Sequence, residues 1–145
     1  MKIKQIIIGI SLVTLAISCT NNQGGKDNDR KTNFAEMLDI PTTISFEKQN
    51  FDFGTVKDGD LVTEIFKFTN SGDQDLILLS VKGSCGCTVP ENWPKEPIAP
   101  GQSGEITVTF NSAGRVGNVR KNVRIEANTI PSVNVLNITG KVVEI

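Results

Sequence analysis

From Thr42 onward, apolar side chains recur at every second position, the period of an extended strand whose alternate residues face opposite sides. Ile44 and Phe46 alternate with polar neighbours, as do Phe51 and Phe53, and Asp58-Gly59-Asp60 then supplies turn residues. Val62, Phe66 and Phe68 share a face that Glu64 interrupts, with Thr63, Lys67 and Thr69 opposite. Asn70-Ser71-Gly72-Asp73 closes that segment. Residues 76–81 are almost continuously apolar, as in a strand buried on both faces or lying at a sheet corner.

Pro90, Pro94, Pro97 and Pro100 predict an irregular connection, because proline cannot donate to a strand ladder. Pro100-Gly101 reads as a tight turn, after which Ile106, Val108 and Phe110 alternate with Glu105, Thr107 and Thr109. Gly114 and Gly117 flank the next turn. Val119, Val123, Ile125 and Ala127 take one face, with Lys121 a misfit among them, and Arg120, Asn122, Arg124 and Glu126 take the other. Leu136, Ile138 and Val142 share a last inner face opposite Val133 and Val135. About seven short strands with turn signals between them and no helical period predict an all-β fold, an antiparallel sandwich, with a small closed barrel as the alternative. No internal repeat is present, which argues against a propeller or solenoid.

The N-terminal 41 residues follow other rules. Lys2 and Lys4 precede a run from Ile6 to Ile17 that is apolar apart from Ser11 and Thr14. As a helix this run would rise about 18 Å, too little for a hydrocarbon core of about 30 Å, so it reads as a secretory signal over residues 1–18. Leu15-Ala16-Ile17-Ser18-Cys19 resembles a bacterial lipoprotein processing box, although Ala16 stands where leucine is commonest. That resemblance implies cleavage before Cys19 and lipidation of its sulfur, hence a membrane partner and a cell-envelope location. Thr20 after the cysteine leans towards the outer membrane, with its periplasmic or surface face undecided. Several acyl chains, each contributing about 0.8 kcal/mol per buried methylene, would make the anchor stable. Residues 19–41 form the lipidated cysteine and a tether rich in Asn, Gly, Lys and Asp, spanning roughly 25 Å as a coil. One helical turn around Phe34, Met37 and Leu38 is expected near its end. Residues 42–145 are the sandwich domain.

Composition removes several chemistries. The 145 residues contain no histidine and no tyrosine, so a Ser-His-Asp or Cys-His relay and histidine-bearing zinc sites are excluded. The net charge is −1, and losing Lys2 and Lys4 with the leader makes the chain more acidic. A slightly acidic domain with no basic stripe argues against nucleic acid as a partner. No catalytic set emerges, no cofactor is implied, and a non-enzymatic module is expected.

Ser84-Cys85-Gly86-Cys87-Thr88 is the most distinctive stretch. In an extended strand, residues two apart are separated by about 6.6 Å, whereas disulfide Cβ atoms sit roughly 3.8 Å apart. Gly86 lacks the side chain that would resist a bend, so a local disulfide is one option and thiol exchange another. Two same-face thiolates holding Cu(I) are a third, and packed thiols beside Val81 and Val89 a fourth. Lys82 and Lys95 are the nearest cations in sequence that could lower a thiol pKa.

Phe51-Asp52-Phe53-Gly54, Phe66-Lys67-Phe68-Thr69-Asn70, Ser84-Cys85-Gly86-Cys87-Thr88, Pro100-Gly101 and Gly140-Lys141-Val142 together resemble a bacterial family known as domain of unknown function 1573. The resemblance implies an immunoglobulin-like β-sandwich of the kind shared with Hydin-type ciliary and centrosomal domains, in a lipoprotein of the sort common in Bacteroidetes. It implies no catalytic residues. A partner, an envelope protein or a glycan, would then meet exposed strand edges or the loop from Ser84 to Pro100, where Ser84, Gly86, Thr88 and Trp93 are candidate contacts. Asp58 with Asp60 and Asp73 with Asp75 read as turn residues, since a calcium loop needs six or more oxygens. The Asn137-Ile138-Thr139 triplet falls inside an expected strand, and Trp93 is expected as a lid on the sandwich end.

Overall fold

A computed structural model describes residues 35–144. Cys19, the expected leader and most of the expected tether lie outside the described residues. Eight strands follow one another: β1 (Ile44–Phe46), β2 (Asn50–Lys57), β3 (Leu61–Asn70), β4 (Leu78–Gly83), β5 (Thr88–Asn92), β6 (Ser103–Asn111), β7 (Gly117–Ala127) and β8 (Val133–Val143). They form two four-stranded sheets, ordered β1-β3-β6-β5 and β2-β8-β7-β4. Apart from β2, this is the arrangement of an immunoglobulin constant domain, with one sheet of four strands facing one of three.

Two features differ from the sequence expectation. The eighth strand is β5, which forms around Pro90 because it is an edge strand and Pro90 has no ladder N–H to supply. The sandwich is mixed, because β2 runs parallel to β8. After Phe46 the chain leaves the first sheet, crosses to the second and joins it beside the last strand. Alternation marks both strands but carries no information about the direction of a partner.

Phe66, Phe68, Ile106, Val108 and Phe110 from one sheet meet Val123, Ile125, Leu136, Ile138 and Val142 from the other, all essentially inaccessible to water. Burying each such side chain stabilises the fold by roughly 1.5–3 kcal/mol relative to leaving it exposed. Glu64, on the inner parity of β3, pairs with Lys48 at 2.6 Å at the margin of that core. The apolar run 76–81 is a sheet corner. Leu76 pairs with Ile98 through reciprocal N–H···O bonds of 2.9 Å, and β4 starts only at Leu78. Leu79 is an extra residue between the Leu78–Ala127 and Ser80–Glu126 pairs, and it points outward. At Pro100-Gly101, Gln102 N–H donates to the Ala99 carbonyl at 3.0 Å and Gly101 has φ 76°, the signature of a type II turn.

Two buried asparagines hold the end where the tether enters. A helical turn at 35–39 leads into Thr42. Asn128 donates through Nδ2 to the carbonyls of Met37, Ile40 and Asp75, and accepts from Ile77 N–H through Oδ1 at 2.7 Å. Asn70 donates to the Gln74 and Ile98 carbonyls and accepts from the Thr42 hydroxyl and Gly72 N–H. Replacing Asn128 with Ala would leave the buried Ile77 N–H and the partly buried Met37, Ile40 and Asp75 carbonyls without this partner. Asn128→Ala should therefore lower unfolding stability by about 2–3 kcal/mol, read by urea denaturation, and a change below about 0.5 kcal/mol would contradict this role.

Candidate functional site

The Cys-Gly-Cys segment caps the corner between β4 and β5. Ser84 N–H donates to the Asn122 carbonyl at 2.8 Å, and Asn122 N–H donates to Ser84 Oγ at 3.2 Å, so β7 grips the chain just before it turns. Thr88 N–H then donates back to the Cys85 carbonyl at 3.1 Å, and Asn111 N–H donates to the Cys87 carbonyl at 2.8 Å. Within this turn Cys85 and Cys87 form a disulfide, with Cα atoms 5.2 Å apart, inside the usual range for bridged cysteines. Cys87 is buried against Phe110, Val119 and Val142, while Cys85 is half-buried at their margin. Thr88 Oγ1 lies 3.7 Å from the Cys85 sulfur and 3.8 Å from that of Cys87.

The glycine this corner requires is Gly83 rather than Gly86. A Cβ on Gly83 would run into the Thr88 carbonyl, whereas one on Gly86 would meet nothing. The bend closes over Gly83, immediately before the motif, where the sequence gives no signal distinct from any other strand-end glycine.

The other candidates divide by exposure. Ser84 and Gly86 are exposed, and Thr88 is buried. Trp93 is half-buried against the main core, with the Lys95 ammonium over its ring. Asp58 accepts from Gly114 N–H and Asp60 from Lys57 N–H, so both act in turns. Asn137 lies within β8 and donates to Asn50 Oδ1 at 3.0 Å. Among the described residues, no three His, Cys, Asp or Glu side chains converge on a point that could hold a metal. While the two sulfurs are bonded to each other there is no thiolate for Cu(I) or for nucleophilic attack, so either role first requires two-electron reduction.

The outward surfaces are the remaining places for recognition. On the first sheet, Leu61, Ile65 and Val89 are exposed, and Thr63 and Thr109 link hydroxyls at 3.1 Å between them. Register places Val89, Thr109 and Thr63 in one row across three strands, with Ile65 beside Thr107 in the next. Charge enters at Glu91 on the edge and at the Lys67–Glu105 pair, 3.5 Å apart. Contrary to the expectation of a domain with no basic stripe, register gathers Lys82, Arg120, Arg124 and Lys141 on the second sheet's outer face, with Asn122 between them and Asp52 and Glu126 on the same face.

Two facing sheets with this strand order and an opening segment shared between them define an immunoglobulin-type β-sandwich. The chain belongs to the family described as "Protein of unknown function (DUF1573)", whose profile matches residues 44–142. Among solved structures it is similar to a protein of unknown function from Porphyromonas gingivalis (16% identity, TM-score 0.62), covering 72% of this chain and 48% of that one. The ASH / PapD-like domain of human CEP192 (15% identity, TM-score 0.53) matches over 92% of this chain and 99% of its own length. The secreted serine protease VesC from Vibrio cholerae (15% identity, TM-score 0.56) matches over 75% of this chain and 24% of its own. The chain thus spans about half of the first structure and a quarter of the protease, and at these identities the likeness is one of fold. No curated protein matches the sequence.

The disulfide has a direct chemical consequence. A maleimide should leave Cys85 and Cys87 unmodified in the native protein and add two groups once the protein is reduced and unfolded, read by mass spectrometry. Two groups added without reductant would mean that the pair is open.

Proposed function

We propose that this chain is a lipid-anchored, non-enzymatic interaction module of the bacterial envelope, tethered through Cys19, that holds a partner protein against the outer face of β3, β6 and β5. The observation that carries this reading is the uncharged patch of Leu61, Ile65 and Val89 set among threonines. Contiguous exposed apolar surface depleted of charge is typical of the centre of a protein contact.

The edges are less suited to a partner. β1 has only three residues. On β5, Thr88 N–H is already used in the turn and Pro90 has none, so the outward rim lacks two donors that an added strand would need. On β2, the N–H groups of Gly54 and Lys57 are capped by the carboxylates of Asp52 and Asp60. β4 is broken by the Leu79 bulge and closed at Gly83 by the Thr88 carbonyl. A partner built on strand addition would find little to pair with, whereas the face is open. Thiol exchange, with Cys85 as the more accessible sulfur, is the second reading, and Cu(I) handling would follow only from the reduced pair.

Two measurements test the proposal on the full-length protein in cells. Radioactive palmitate should label it, and Cys19→Ser should abolish the label; label persisting in C19S would refute the anchor. Crosslinking in intact envelopes should recover a reproducible protein adduct that the double variant L61K/I65K loses and Lys67→Gln keeps. Equal recovery from parent and double variant would rule out the β3-β6-β5 face as the contact.

A further inference from the structure

The opposite face of the sandwich has a chemistry that the protein contact above does not use. The β4–β7 register sets Lys82 directly opposite Arg124, and β7–β8 sets Arg120 beside Thr139, one row from Lys141. Among the described residues the ion pairs are Lys48–Glu64 and Lys67–Glu105, so none of these four cations forms an ion pair, and Asp52 and Glu126 are the carboxylates that share their face. Like charges opposite each other on a sheet are destabilising, and an anion from outside would relieve that repulsion. Between the two cationic rows lies a row of amides, Asn122, Asn137 and Asn50.

At one end of this face the β2 bulge opens a groove of 440 Å³, lined by Asp52, Thr55, Asn118, Arg120, Thr139 and Lys141. Gly54, at φ 70°, stands at its rim with open space where a Cβ would be. The volume falls within the roughly 300–1,000 Å³ typical of small-ligand sites. We infer that this groove binds a carboxylated sugar unit of an acidic polysaccharide. Arg120 and Lys141 meet the carboxylate as charge-assisted donors, and Asn118, Thr55, Thr139 and Asp52 offer donors and acceptors to ring hydroxyls. The amide row and the Lys82–Arg124 pair continue the track for neighbouring units of the polymer.

Two alternatives fit less well. An acidic peptide would gain from strand pairing or an apolar anchor, but β7 and β8 are interior strands with both ladders occupied, and their apolar residues on this face, Val133, Val135 and Val143, are half-buried, leaving Leu79 on the β4 edge as the exposed one. Anionic lipid headgroups would be met near the end where the tether enters. That end carries Asp39, Asp73 and Asp75, and Asn128, which holds it, lies eight residues from Arg120 along the chain, about 26 Å of extended strand.

The test is a titration of the detergent-solubilised full-length protein with polygalacturonate, read by affinity electrophoresis and calorimetry. Binding is expected, with neutral dextran inert, and should fade as ionic strength rises well above about 0.15 M. R120Q and K141Q should each weaken it by roughly tenfold or more while melting like the parent, and Lys67→Gln on the other sheet should not. The inference is overturned by no binding, by binding unchanged in R120Q and K141Q, by equal affinity for poly-L-glutamate, or by binding to phosphatidylglycerol vesicles in place of the polysaccharide. The protein adduct at the β3-β6-β5 face is measured on separate variants, so either result can fail while the other stands.

Discussion

Parity governs this molecule. Once Phe66, Phe68 and Phe110 point inward on one sheet and Val123, Ile125, Leu136 and Ile138 on the other, every neighbouring residue is committed to the outside. A slip of one residue in any strand would turn the whole pattern over, placing Lys67 or Arg124 in the core and a phenylalanine or isoleucine in water. The several kcal/mol at stake in each such exchange is a sizeable part of a small domain's total stability. The make-up of the two outer faces is therefore a by-product of the core. Leu61, Thr63 and Ile65 face out because Val62, Glu64 and Phe66 do not, and Arg120 and Arg124 face out because Val119, Val123 and Ile125 face in.

Parity sets which side a residue takes, but it does not close the ends. At the tether end that task falls to Asn70 and Asn128, whose amides replace ladder partners for backbone groups where the regular strands stop. At the other end the corner from Gly83 to Thr88 does it, with Ser84 latched to β7 and Cys87 wedged beside Phe110. The Cys85–Cys87 bond lies within this latch. Its position suits a device that keeps one turn in shape, since it links residues two apart and spans no long loop of the chain. The entropy withdrawn from the unfolded state by so short a loop is correspondingly small, because that term grows with the logarithm of loop length.

Most of the fold was legible because alternation is a local signal: Ile106, Val108 and Phe110, or Leu136, Ile138 and Val142, reveal their faces without knowledge of any partner. What stayed hidden depends on non-local facts. The parallel seating of β2 beside β8 is invisible in either segment, and β5 was masked by Pro90 until its place at a sheet edge was known. Asn70 reads as a turn residue and Asn128 draws no reading at all, since one sequence cannot tell a buried amide from a solvated one. The family motif was plain in Ser84-Cys85-Gly86-Cys87-Thr88, yet the sterically required glycine is Gly83, because the obstacle it avoids is a carbonyl five residues away. The cationic groove needed three strands in register, which joins Thr55, Arg120 and Lys141 from separate parts of the chain.

The blunted edges and the two open faces belong to one physical argument. On the proposed reading the domain is anchored and shares a two-dimensional surface with its own copies, where unpaired strand rims would invite edge-to-edge association. Here the rims are short, bulged, capped by Asp52 and Asp60, or short of donors at Thr88 and Pro90. With pairing through backbone suppressed, selectivity passes to side chains on the faces. Packed sheets lie about 10 Å apart, far enough for substitutions on one outer face to act almost independently of the other. On the two proposed readings, the uncharged patch on β3, β6 and β5 and the cationic track on β7 and β8 can be occupied at once, as a bridge between two unlike partners would require.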